Sequence, residues 1–89
     1  MKVLIDKSFE KDTEKITDKK LLNSIADSIE EIQGVNKLSD ITNCKKLKGS
    51  KNFYRIRIGD YRIGFIFKNQ TVEFVRFLHR NKIYNSFPD

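Results

Sequence analysis

One cysteine, one histidine, one proline and no tryptophan among 89 residues leave this chain without the usual staples of a small fold. Cys44 alone cannot close an internal disulfide, and one Cys with one His falls short of the four ligands of a structural zinc site. Neither a disulfide scaffold nor a zinc module is expected, and no metal or other cofactor is called for. Proline occurs only at Pro88, and Gly34, Gly49, Gly59 and Gly64 are scattered. That spacing leaves no Pro/Gly-rich linker and predicts one continuous domain over 1–89. Long apolar runs are missing too: Val3-Leu4-Ile5 is followed at once by Asp6, too short a run for a signal peptide or a membrane span. A cytoplasmic protein with no membrane partner is the expectation. Finally, acidic residues are scarce in one half. Residues 45–89 hold three Asp/Glu against eleven Lys/Arg, a net +8, whereas residues 1–44 hold nine against seven, a net −2.

What the chain does have is apolar mass. A hydrophobic fraction of 38%, with seven Phe and three Tyr, suffices for one core at this length and argues against disorder. Val3-Leu4-Ile5 reads as a first strand. Asp6 or Ser8 can cap a first helix carrying Phe9 and Ile16. A second helix is better marked: Thr17 or Asp18 can cap it, and Leu22, Ile25, Ile29 and Ile32 recur at helical spacing. Gly34 then falls where a left-handed C-terminal residue is expected. Its apolar stripe needs a sheet to cover.

The second half supplies the sheet. Phe53 to Phe67 forms two alternating segments around Gly59-Asp60, which predicts a two-residue hairpin. Counting outward pairs Ile58 with Tyr61, Arg57 with Arg62, Ile56 with Ile63, Arg55 with Gly64 and Tyr54 with Phe65. One face, with Tyr54, Ile56, Ile58, Tyr61, Ile63 and Phe65, should pack on the helices. The other carries Arg55, Arg57, Arg62 and Gly64. A further strand spans about Thr71 to Leu78 after a turn near Asn69-Gln70. There Val72 and Phe74 point one way and Val75 and Phe77 the other, which fits a central strand or a bulge. Lys45-Lys46-Leu47-Lys48 suits an edge strand guarded by its lysines. The expected fold is α+β: two N-terminal helices packed on one face of a small antiparallel sheet, in β-α-α-β-β-β order, with a short C-terminal segment and one sheet face free.

Chemistry concentrates on that second face. Like charges directly across a strand pair repel, so Arg57 opposite Arg62, with Arg55 beside them, is an arrangement an anion would relieve. Guanidinium groups fork onto phosphate oxygens. The plainer reading is a solvated basic face, but Lys45, Lys46, Lys48 and Lys51 nearby tilt the balance toward a polyanion. The run Leu78-His79-Arg80-Asn81-Lys82-Ile83-Tyr84 adds three candidates: His79 for acid–base work near neutrality, Arg80 for charge stabilisation, and Tyr84 for base stacking or hydrogen bonding. Each has a structural alternative: an exposed histidine, an arginine bridging to an acidic residue, a tyrosine pinning the chain end.

Taken together, Lys46-Leu47-Lys48-Gly49, Tyr54-Arg55-Ile56-Arg57, Gly59-Asp60-Tyr61-Arg62-Ile63 and His79-Arg80 followed by Ile83-Tyr84 resemble the RelE/ParE superfamily of toxins from type II toxin–antitoxin modules. The ending looks like the RelE branch. The resemblance implies metal-independent cleavage of mRNA on the 70S ribosome, by attack of a ribose 2′-OH to leave a 2′,3′-cyclic phosphate. It implies Arg55, Arg57, Arg62, His79, Arg80 and Tyr84 as catalytic groups, with the four lysines binding RNA. It also implies a cognate antitoxin, which the +8 half predicts to be acidic. Well-known members carry lysines where this chain has Arg55 and Arg57. Arginine does not give up its proton in proteins, so those two stabilise charge and the acid–base burden moves to His79 or to the ribosome. The alternatives are a ParE-like toxin that binds DNA gyrase without cutting RNA, and a degenerate basic RNA-binding domain.

Overall fold

The structure, a computed structural model, describes residues 1–49 and 51–87, and only the backbone of Ser86. Pro88 lies outside the described residues. In chain order the elements are β1 (Lys2–Ile5), α1 (Lys7–Thr13), α2 (Lys19–Gln33), a 3-10 turn (Leu38–Asp40), β2 (Cys44–Lys46), β3 (Phe53–Ile58), β4 (Tyr61–Lys68), β5 (Thr71–His79) and α3 (Arg80–Ser86). The five strands form one sheet in the order β1-β5-β4-β3-β2. The α+β architecture follows expectation, with α1 and α2 on one sheet face. The sheet is mixed, however: β1 runs parallel to β5, pairing Lys2 with Thr71 through Ile5 with Phe74.

The helix caps follow the expected chemistry. Asp6 accepts from the Ser8 N–H, and Asp18 accepts from those of Lys20 and Leu21, filling orphan donors at each helix start. Three details differ from the sequence reading. Helix α1 ends at Thr13, so Ile16 packs on the core from the following loop. The buried stripe of α2 runs through Ile25, Ser28 and Ile32 with Leu21 packed against the core, while Leu22 is 38% exposed. Gly34 caps α2 with right-handed, not left-handed, backbone (φ −92°, ψ −5°), and the Met1 ammonium group donates to the carbonyls of Ile32 and Val35 there.

The hairpin register is as counted, from Ile58 opposite Tyr61 out to Tyr54 opposite Phe65, with Gly59 at φ 57°. Tyr54, Ile56, Ile58, Tyr61, Ile63 and Phe65 face the helices and join the main core. A β-bulge resolves the ambiguous strand. Phe65 pairs with Phe74 but Gly64 with Arg76, so Val75 is skipped. A one-residue slip exchanges sheet faces, and accordingly Val72, Phe74 and Phe77 all enter the main core, while Val75 packs on the opposite side. Where β5 extends past its pairing with β1, the Asp12 carboxylate of α1 accepts from the Phe77 N–H at 2.9 Å and the Arg76 Nε at 2.8 Å.

The second sheet face is not free. Helix α3 lies on part of it, burying Ile83 and Phe87 with Leu47 against Phe53, Val75 and Leu78. Gly64 makes this possible: a Cβ on it would stand 2.7 Å from Cδ2 of Phe87. A glycine inside a strand often marks such a close approach. Among the described residues, no helix is long and apolar enough to cross a membrane.

Candidate RNA-binding site

The site grows from the edge of the sheet. β2 pairs antiparallel with β3, setting Lys45 opposite Arg55 and Lys46 opposite Tyr54. Leu47 then leaves the strand, tied back by its N–H to the Phe53 carbonyl at 2.9 Å, and becomes buried. Across from it, Ile83 and Phe87 anchor α3, and Tyr84, next to Ile83 in the chain, is left 59% exposed. Between β2, β3 and α3 opens a cavity of about 410 Å³ lined by Lys45, Lys46, Leu47, Lys48, Arg55, Tyr84 and Phe87. Four cations, two aromatic rings and one aliphatic side chain line it, with no carboxylate among them. Such a site attracts an anion and offers a ring face to a planar group.

The other candidate residues are distributed differently. Arg57 and Arg62 are opposite each other, as counted, but their guanidinium groups diverge. Arg57 Nη2 reaches the Asn43 side-chain oxygen at 3.5 Å, while Arg62 Nη1 folds back onto the carbonyls of Gly59 and Tyr61 at 3.0 and 2.8 Å. The like-charge pair is therefore relieved by neutral acceptors within the fold. Arg57 borders a second groove, of about 400 Å³, shared with Asp27 and Glu31 of α2. Arg55 donates through Nη1 to the Asn43 carbonyl at 3.1 Å. The Nε atoms of Arg55 and Arg62 are buried without a hydrogen-bond partner among the described residues. Arg80, exposed at the start of α3, donates its backbone N–H to the Asp60 carbonyl at 2.8 Å. Lys51 is exposed in the loop before β3 and does not line the cavity.

His79 stands apart. It pairs with Tyr61 across β4 and β5, and its ring meets the Tyr61 ring edge-on at a centroid distance of 5.6 Å. Tyr61 in turn stacks on Phe77 of the main core at 5.0 Å. His79 thus sits on the helix-bearing side of the sheet, whereas the arginines project from the other. Its Nδ1 accepts from the Asn81 N–H at 3.2 Å.

Two contributors were missed at the level of sequence, Leu47 and Phe87. The one available signal was Gly64, an unexplained gap in a strand face otherwise made of arginines. Cys44 lies beside Arg55; burial pushes its thiol up to about 11, Arg55 pulling the other way and Glu31 adding to the rise. A thiol held protonated is a poor nucleophile or ligand at neutral pH. Among the described residues, no group of three or more His, Cys, Asp or Glu is placed to hold a metal ion.

Comparison with known proteins gives this geometry a context. The family model described as the ParE toxin of the type II toxin–antitoxin system parDE matches residues 3–84. The chain is 45% identical over 89 residues to Toxin RelE3 of Methanocaldococcus jannaschii, spanning 99% of this chain and 100% of that one. Its fold is similar to a chain of the RelB–RelE antitoxin–toxin complex from Methanococcus jannaschii, with a TM-score of 0.80, 41% identity, and coverage of 96% of this chain and 99% of that one. The YoeB dimer of Staphylococcus aureus shares the fold at a TM-score of 0.73 and 18% identity, over 90% and 97% of the two chains. On this sequence match over nearly its whole length, the chain belongs to the RelE/ParE superfamily and is a toxin of a type II toxin–antitoxin system.

Proposed function

We propose that this toxin is a metal-independent endoribonuclease that cuts mRNA on the 70S ribosome, through the cavity between β2, β3 and α3. The observation that carries the reading is the cavity's composition: Lys45, Lys46, Lys48 and Arg55 around an exposed Tyr84, with no carboxylate among the described residues that line it. In the reaction a ribose 2′-OH attacks the adjacent phosphorus, the 5′-oxygen of the next nucleotide leaves, and the products are a 2′,3′-cyclic phosphate and a 5′-OH. Arg55 and the lysines hold the phosphate and stabilise the charge that builds on it. Among the described residues that line the cavity, the lysine amino groups and the Tyr84 phenol carry a transferable proton, since arginine does not release its own. Arg57, Arg62 and Arg80, outside the cavity wall, extend the basic surface along which the RNA backbone runs. Lys51 belongs to the same surface.

A cognate antitoxin is the second partner. The solved Methanococcus jannaschii relative is an antitoxin–toxin complex, and the +8 half of this chain favours an acidic segment. The matching family model, a ParE toxin, supports one other reading, inhibition of DNA gyrase without RNA cleavage.

Expression in a bacterium with primer extension on translated transcripts separates the two. Wild type is expected to arrest growth and leave discrete mRNA ends, and Arg55→Ala to cut on the order of 100-fold more slowly. Growth arrest with intact transcripts and inhibited supercoiling would establish the gyrase reading instead.

A further inference from the structure

We infer that His79 is a positioning residue for this site and not its proton-transfer group: its Nδ1 caps α3 and so fixes where Arg80 and Tyr84 stand. The kinetic part of this inference rests on the nuclease reading; the cap itself does not.

Two features of α3 make its first turn dependent on a cap. It spans seven residues, and isolated helices shorter than roughly 12 residues are marginal in water. Its opening turn holds Arg80 and Lys82 and no acidic residue, so the macrodipole works against the charges there. The orphan N–H of Asn81 is instead taken up by His79 Nδ1 at 3.2 Å. An Nδ1 that accepts a hydrogen bond carries no proton, which leaves the ring proton on Nε2. The imidazole is held from its other side by the edge-on contact with Tyr61, itself stacked on Phe77. The cap is therefore referenced to the main core. The Arg80 N–H, bonded to the Asp60 carbonyl at 2.8 Å, ties the same turn to the β3–β4 hairpin. One turn further on, Ile83 enters the small core and Tyr84 stands over the cavity.

A general acid or base must come within hydrogen-bond reach of the proton it moves. His79 is absent from the cavity wall and lies on the opposite side of the sheet from Arg55. Its effect on chemistry passes through the helix it starts.

The test compares wild type, His79→Ala and His79→Asn. Asparagine keeps a side-chain acceptor suited to a cap but cannot titrate. Single-turnover cleavage on programmed ribosomes should fall about tenfold in His79→Ala and stay within about threefold of wild type in His79→Asn, the range a cap commands. Equal losses of about 100-fold or more in both variants would mark a proton-transfer role and overturn the inference. If wild type itself leaves mRNA intact, the nuclease reading fails, and amide exchange decides the cap separately. The Asn81 amide should exchange faster in His79→Ala than in wild type and remain protected in His79→Asn. Equal exchange in all three proteins would show that His79 caps nothing.

Discussion

On the helix-bearing side of the sheet, rings and branched side chains from α1, α2 and four strands interlock, and Ile32, Ile63, Phe65, Val72 and Phe74 are wholly buried. On the other side, the buried hydrophobic side chains among the described residues are Leu47, Ile83 and Phe87, gathered around a seven-residue helix. The same sheet thus carries one deep core and one shallow one. The deep core includes close aromatic pairs, Phe9 with Phe74 at 5.2 Å and Tyr61 with Phe77 at 5.0 Å. With most of the stabilising burial on that side, the other side has room for cations. Arg55 and the lysines of β2 mass like charge around the cavity, an arrangement that costs stability. The lesson is a division of labour across a single layer, with the fold held from one face and the cations gathered on the other.

Equivalent truncations on the two sides should break this comparison most sharply. Phe74→Ala removes a ring from the deep core and should cost about 3–5 kcal/mol, measured by chemical denaturation. Ile83→Ala, in an equally buried position but in the small core around α3, should leave the denaturation midpoint nearly unchanged while α3 amides lose exchange protection and cleavage falls. Equal midpoint shifts for the two would show that the cores act as one.

A smaller effect tests how α3 is seated. Gly64→Ala places a methyl 2.7 Å from the Phe87 ring, an overlap the protein relieves by giving up the seat of Phe87 and not by straining the sheet. Phe87 should be expelled, with faster exchange in α3 and loss of cleavage, while the pairing of β3 with β4 survives. Retained activity in a folded Gly64→Ala protein would show that the site does not depend on that seat.

The smallest effect concerns the border between the two regions, where Cys44 sits. Its folded pKa, about 11, lies above the ordinary 9.0. The stabilisation from keeping it protonated is therefore complete below about pH 9 and is lost as pH rises toward 11. The difference in stability between wild type and Cys44→Ala should shrink across that window, by about 1 kcal/mol at most once solvent screening of this half-buried group is allowed for. A pH-independent difference would mean that the thiol is not desolvated by the fold.

How far the sequence reveals this arrangement depends on how local each signal is. The β3–β4 register was legible because a Gly-Asp turn fixes it and alternation repeats it at every pair. The Asp18 cap was legible because it involves only neighbouring residues. The parallel pairing of β1 with β5 joins residues about 70 apart in the chain, and no local pattern encodes it. The bulge at Val75 was visible only as a conflict between two alternations. Helix α3 escaped notice because its first residues are polar and only Ile83 and Phe87 anchor it. With α3 unseen, the second face looked free and the three arginines looked like one cluster. The structure gathers Arg55 with the lysines and Tyr84, turns Arg57 and Arg62 onto neutral acceptors, and sets His79 on the far side.

We propose that the shallow side cuts RNA. Incubation of the purified toxin with mRNA on programmed ribosomes, followed by analysis of the fragment ends, tests it most directly. Fragments ending in 2′,3′-cyclic phosphate and 5′-OH are expected from wild type, strongly diminished in Arg55→Ala and Tyr84→Ala. Intact mRNA in the presence of folded wild-type protein, or cleavage unchanged in both variants, would contradict it.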